Sequence, residues 1–193
     1  MKISLPDADI DYIEEFYSAI EAAEVFTALL QSLAWRQDDI VLFGKKVNIP
    51  RLQAWYGDNQ LSYRYSNMTL TAQPWTTQLL ALKARVSDYC QLDFNAVLAN
   101  LYRSEKDSVS WHSDDEPEFG AMPNIASLSF GAAREFQLKH KVTGIKKNMM
   151  LHSGSLLVMR GKTQDYWQHC LPKRHRAIAP RINLTFRKII HQD

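Results

Sequence analysis

Cysteine is scarce: Cys90 and Cys170 are the only two in 193 residues, and neither has a CxxC partner. That excludes a disulfide framework and fits a reducing compartment. Long apolar runs are missing as well, so no segment reaches the length of a membrane span, and no membrane partner is expected. The N-terminus, MKISLPDADIDYIEE, is acidic where a secretory leader would be basic and then apolar. The expectation is therefore a protein that is not secreted, cytoplasmic in a bacterium or nuclear in a eukaryote. Net charge is only +2, which leaves any nucleic-acid binding to local basic patches. Internal repeats and low-complexity linkers are also absent. What is present, 46% hydrophobic residues in a chain of this length, suffices for one buried core and predicts one domain over residues 1–193.

The hydrophobic pattern changes along the chain. Ala22, Val25, Phe26, Leu29, Leu30 and Leu33 recur at helical spacing, and so do Leu79, Leu82, Val86 and Tyr89, with Pro74 expected in the first turn of that second helix. Between them, DDIVLFGKKVNIPRL reads as strand, glycine turn and strand. From about residue 96 the runs shorten to strand length: AVLANLYR, NIASLSFG, REFQLKH, KKNMMLH, GSLLVMRG, WQHCL and RINLTFRKI. This predicts an α+β protein, with helices laid against an antiparallel sandwich or barrel.

SVSWHSDDE, residues 108–116, sets an imidazole and three carboxylates within five positions. On a strand, residues two apart share a face, so His112 and Asp114 are expected to aim at one point. Nitrogen plus carboxylate oxygen suits a borderline metal such as Fe(II). A third ligand is needed; His169 in YWQHCLP is the first candidate, with His140, His152 and His175 as rivals. The same donors would serve zinc in a hydrolase, and a surface histidine beside solvated acids would have the same sequence.

RINLTFR alternates more tightly. Arg181, Asn183, Thr185 and Arg187 fall on one face of a strand, and Ile182, Leu184 and Phe186 on the other. The two arginines lie about 20 Å apart along it at the usual rise. If the apolar face packs against helices, both guanidinium groups point inside, where they need anions. A small dicarboxylate would supply one to each, with bidentate geometry. A strand with a wet polar face remains the alternative.

Taken together, NLY (100–102), HSD (112–114), His169 and RINLTFR resemble the AlkB-type Fe(II)/2-oxoglutarate-dependent dioxygenases, oxidative dealkylases of nucleic acids. The resemblance runs from about residue 40 onward. VLFGKKVNIPR, WYGD, SFGAAREF and APRINLTFRKI are similar to the nuclear branch that repairs duplex DNA. It implies a double-stranded β-helix (jelly roll) core over about 96–193, with helices and a β-hairpin nucleotide-recognition lid in about 1–95. It also implies that His112, Asp114 and His169 hold Fe(II). Asn100, Tyr102, Arg181 and Arg187 would hold the co-substrate 2-oxoglutarate, with dioxygen as the oxidant. Tyr63 and Tyr65 would contact a flipped base. Asp115 would accept a hydrogen bond from the base's amino group, with Glu116 beside it at the base site. Leu42, Phe43 and Gly44 match a finger that enters the base stack.

The implied reaction is hydroxylation of the N-alkyl carbon of N1-methyladenine or N3-methylcytosine in DNA, with etheno adducts as a further candidate, releasing formaldehyde and succinate. Phosphate contacts are expected from Lys173, Arg174 and Arg176, and from the run Lys139, Lys141, Lys146 and Lys147. The expected partner is alkylated DNA, duplex favoured over single strand, met by a monomer. Two other classes fit the same residues: a 2-oxoglutarate oxygenase acting on RNA or protein, and a module that binds alkylated DNA without turnover.

Overall fold

In a computed structural model of the chain, residues 1–42, 45–58, 61–65 and 68–190 are described, without the side chains of 40–42, 45, 62–65 and 68–71. The first half runs β1 (Lys2–Ile3), β2 (Asp9–Ile13), α1 (Ala19–Ser32), β3 (Asp39–Leu42), β4 (Lys45–Asn48), β5 (Leu52–Gly57), β6 (Ser62–Tyr65), β7 (Met68–Thr71), β8 (Gln73–Pro74) and α2 (Thr77–Cys90). Then follow β9 (Ala96–Tyr102), β10 (Val109–His112), β11 (Ile125–Gly131), β12 (Arg134–His140), β13 (Lys146–Leu151) and β14 (Leu156–Arg160). A four-residue helix, α3 (Thr163–Tyr166), leads into β15 (Trp167–Leu171), and β16 (Arg181–Arg187) comes last. Among the described residues, no helix is long and apolar enough to cross a membrane.

Two sheets face each other. The larger has eight strands in the order β1-β2-β14-β11-β16-β9-β5-β8; the smaller is β10-β15-β12-β13. The pairs β3-β4 and β6-β7 are separate hairpins. The period-two pattern of β16 explains the layering. Ile182, Leu184 and Phe186 join Leu29 of α1 and Leu79, Leu82 and Val86 of α2 in one buried cluster. Each such side chain contributes roughly 1.5–3 kcal/mol through burial. On the opposite face of the large sheet, Ile10, Ile125, Leu157 and Met159 meet Phe136, Leu138 and Trp167 of the small one. The functional residues sit in the polar remainder of that inter-sheet space.

Both helices form where their spacing predicts. α1 opens with a capping box: the Glu21 N–H donates to Ser18 Oγ, and the Ser18 N–H donates back to the Glu21 carboxylate at 2.8 Å. The cap of α2 is Thr76, so Pro74 is not in its first turn; it lies in β8 beside Gly57 of β5. Two strands precede the first helix where no element was predicted. DIDYI alternates, with Ile10 and Tyr12 buried, and pairs with β14 at the other end of the chain.

Gly131 ends β11 opposite Arg181, at φ +85°. A Cβ there would stand 2.5 Å from the Pro180 carbonyl oxygen and 2.7 Å from the Phe26 ring. Gly131→Ala is expected to lower stability by roughly 2–3 kcal/mol, read as a reduced urea midpoint at unchanged slope.

Candidate active site

β10 is an edge strand whose register with β15 is irregular. Val109 pairs with Leu171 and His112 with His169, so three steps on β10 match two on β15. That extra residue is a bulge, which turns His112 toward the interior beside His169, with ring centroids 4.3 Å apart. The strand ends there, so Asp114 does not owe its direction to the two-residue period that predicted it. It is drawn in by a turn: the Asp114 N–H donates to Gln164 Oε1 at 2.9 Å, and the Ser113 hydroxyl donates to the Trp167 carbonyl at 3.0 Å. The ligating atoms of His112, Asp114 and His169 all lie within 4.8 Å of one another.

Protonation suits a cation at this point. His112 Nδ1 is 2.8 Å from the Ser110 carbonyl, which can only accept, so Nδ1 carries the hydrogen and Nε2 offers its lone pair. Burial holds the His169 ring neutral, pushing it down to about 3, and His112 adds to the effect. Burial alone would raise the Asp114 carboxyl, but the Arg187 guanidinium holds it down at about 2. Two imidazoles and one carboxylate, converging on one point, fit Fe(II). The rival histidines are engaged elsewhere. His140 Nδ1 accepts from the Val142 and Thr143 N–H groups while Nε2 faces Asp7. His152 faces Glu14 at 3.7 Å, and His175 is exposed on the segment after β15.

The polar face of β16 lines the same cavity, together with Asn100 and Tyr102 of β9. Arg187 donates to Asp114 Oδ1 at 2.6 Å. At the other end, Arg181 is 2% exposed and donates to Ser129 Oγ at 2.9 Å, and among the described residues its Nε has no partner. Among the described residues no carboxylate comes within ion-pair distance of it, and burial pushes it down to about 10. Between the arginines runs a hydrogen-bonded chain: Thr185 Oγ1 donates to Asn183 Oδ1, and Asn183 Nδ2 donates to Ser127 Oγ. A buried cation with no anion is costly, and a diacid reaching from the metal to Arg181 would remove that cost.

A family profile described as the 2OG-Fe(II) oxygenase superfamily matches residues 9–187. The chain belongs to that superfamily. Among curated relatives, this oxygenase is 44% identical over 184 residues to the Bos taurus alpha-ketoglutarate-dependent dioxygenase alkB homolog 3, covering 90% of the chain and 64% of the relative. It is 39% identical over 193 residues to the Homo sapiens DNA oxidative demethylase ALKBH2, covering 94% and 74%. The oxygenase thus spans a little under two thirds of the alkB homolog 3 relative's length. The solved structure of OsALKBH1 superposes with TM-score 0.66 at 15% identity, covering 97% of this chain and 100% of that one, a likeness of fold. Membership brings Fe(II), 2-oxoglutarate and dioxygen as the groups this pocket serves.

The remaining predicted residues stand at the rim of the oxygenase or outside the described part. Asp115 is half exposed, with its carboxylate 3.1 Å from Lys141 Nζ. Glu116 caps a short 3-10 turn, Pro117–Phe119, its carbonyl accepting the Phe119 N–H. Lys173, Arg174 and Arg176 are exposed beyond β15, and the Arg174 N–H is anchored to the Glu105 carbonyl. Lys139 and Lys146 are direct cross-strand neighbours. Phe43 and Gly44 lie outside the described residues, as do the side chains of Leu42, Tyr63 and Tyr65.

Three buried side chains at the site, Arg51, Gln53 and Gln164, were not expected from sequence. Arg51 donates from Nε to Asn100 Oδ1 at 2.8 Å and, with Gln53 Nε2 at 3.0 Å, fixes that amide so that its Nδ2 turns to Asn183. The only local signal was Arg51 and Gln53 two apart at the start of an otherwise apolar strand, Arg51 just before it. Gln164, fully buried in α3, had none.

Proposed function

We propose that the protein is an Fe(II)- and 2-oxoglutarate-dependent oxidative demethylase of DNA, removing methyl groups from N1-methyladenine and N3-methylcytosine, with etheno adducts, oxidised at their carbon–carbon double bond, as further substrates. The observation that carries this reading is the pairing of the His112–Asp114–His169 cluster with a buried, anion-less Arg181 on one polar strand face. Residues 1–193 act as one oxygenase domain. His112, Asp114 and His169 hold the metal. Arg181 takes the distal carboxylate of 2-oxoglutarate, Tyr102 and Asn100 hold it from β9, and Arg187 orients Asp114 and the near carboxylate. When bound, Fe(II) with 2-oxoglutarate and dioxygen supplies the oxidising power that hydroxylates an N-alkyl carbon, after which formaldehyde leaves the base.

The protein's own work is positioning and exclusion of water. A methyl group on the Watson–Crick edge weakens pairing, so the damaged base costs least to extrude. Tyr63 and Tyr65 contact it, Asp115 and Glu116 read its amino group, and Lys173, Arg174 and Arg176 hold adjacent phosphates. The names of the relatives, alkB homolog 3 and DNA oxidative demethylase, support DNA as the substrate.

Anaerobic loading with Fe(II) and 2-oxoglutarate, addition of an oligonucleotide bearing one N3-methylcytosine, and then air should yield an oligonucleotide lighter by one methylene. Formaldehyde and succinate should appear in equal amounts. Succinate formed only with RNA or protein substrates would overturn the reading. Duplex preference rests on Leu42, Phe43 and Gly44 filling the gap left by the flipped base. Phe43→Ala should therefore reduce repair in duplex DNA about tenfold, offsetting an unstacking cost of a few kcal/mol no longer, and leave single-strand repair within about twofold. Equal effects on both substrates would remove the wedge.

A further inference from the structure

Behind the metal-binding turn, Asp114 and Ser113 are fastened to Gln164 and Trp167, and a third connection joins the next residue to the same segment. Lys141 Nζ donates to Asp115 Oδ2 at 3.1 Å and to the Gln164 carbonyl at 2.8 Å. The Lys141 backbone N–H donates to the Tyr166 carbonyl at 2.7 Å, so the main chain that carries this lysine is tied to the same segment. Gln164 is immobile for its own reasons: it is fully buried, and its Oε1 holds the Asp114 N–H. The ammonium therefore transmits the position of a buried residue to a carboxylate that is half exposed. Asp115 Oδ2 is occupied, and Oδ1 has no hydrogen-bond partner among the described residues.

A pair this open contributes little to stability, at most about 1 kcal/mol. Its effect is directional. An ionised carboxylate accepts hydrogen bonds and donates none. With one oxygen tied down, the other is presented at a fixed position next to a metal-binding residue. An amino group there finds an acceptor, whereas a carbonyl oxygen meets a second acceptor and leaves both unpaired.

We propose that Lys141 is a specificity-determining positioning residue: by clamping Asp115 to the Gln164 carbonyl, it makes the oxygenase favour lesion bases with an exocyclic amino group over those with a keto group. This rests on the reading of Asp115 as the residue that faces the flipped base.

The test compares kcat/KM of the Fe(II)-loaded enzyme on oligonucleotides bearing N3-methylcytosine or N3-methylthymine, which differ in an amino and a keto group at the same ring position. The dissociation constants of both oligonucleotides for the anaerobic Fe(II)/2-oxoglutarate complex are measured alongside. For Lys141→Met the cytosine-to-thymine ratio should fall about tenfold, in KM and in dissociation constant more than in kcat. Lys141→Arg should restore at least half of the preference, since it can still bridge the two acceptors. An unchanged ratio, whether both rates fall together or neither falls, overturns the proposal and leaves Lys141 a phosphate contact or a surface pair. If the parent enzyme acts on neither oligonucleotide, the assignment of a lesion base fails first and the specificity role falls with it.

Discussion

Asp114→Ala is expected to abolish demethylation, by a thousandfold or more as an order of magnitude, and to lower the stability of the metal-free protein by roughly 3 kcal/mol. Both effects come from one carboxylate with two tasks. It completes the donor set, and it is the partner of Arg187 at 2.6 Å in a site where both side chains are almost fully buried. Removing it leaves a buried guanidinium beside two imidazoles, the arrangement in which a lost partner costs most. Asp114→Asn should separate the tasks, keeping an acceptor for Arg187 while weakening metal binding. Calorimetric titration with Fe(II), beside thermal unfolding of the metal-free variants, reads both quantities. The pH dependence of the parent carries the same information. His169 is held down at about 3 against 6.5 in the unfolded chain, so the unfolded state binds the extra proton between these values. Stability of the metal-free protein should therefore be fully present above pH about 6.5 and be lost as pH falls toward about 3. The Asp114 contribution is lost lower still, as pH falls from about 4 toward about 2. A parent protein whose stability is flat across that range would mean that His169 is not buried as a neutral ring.

Arg181→Met should have two effects of opposite sign. Loss of a charge-assisted contact in a confined pocket, about 1.5–3 kcal/mol, should raise the 2-oxoglutarate requirement about a hundredfold. The protein without co-substrate should instead become more stable, by roughly 1–2 kcal/mol. It no longer buries a cation whose hydrogen-bond partner is a neutral serine hydroxyl. Few structural arginines behave this way, because removing one usually breaks an ion pair. A variant that loses stability and keeps its 2-oxoglutarate dependence would show Arg181 to be a structural residue and send the diacid elsewhere.

The strand bearing both arginines was legible from sequence because its signal is local. Alternation over seven residues has one consistent reading once the apolar face is buried, and Ile182, Leu184 and Phe186 are all completely buried. The metal cluster was legible in its members but not in its geometry. The two-residue period assigned to His112 and Asp114 gives way to a bulge in β10 and a turn held by Gln164. Both depend on β15 and α3, some 50 residues away, and no local pattern encodes them. Arg51 and Lys141 share that difficulty, since an isolated cation in sequence does not reveal its acceptors. The N-terminal strands were missed for a different reason. DIDYI alternates, yet five residues rich in acid read as a surface segment until β14 supplies the partner that buries Ile10 and Tyr12.

β16 lies between β11 and β9, at the middle of the large sheet, yet a ribosome makes it after every other strand of that sheet. Until it emerges, β11 and β9 have two open edges and nothing between them, and α1 and α2 have only part of the surface they cover. Pairings of such long sequence separation fold slowly and expose unpaired edges meanwhile. A nascent chain whose β16 is still in the exit tunnel is therefore expected to need chaperone protection. The same order of events has a protective side. Arg187, which holds Asp114 in place, and Arg181, which awaits the diacid, arrive on that final strand. A chain whose β16 has not yet emerged has no assembled pocket in which to activate oxygen.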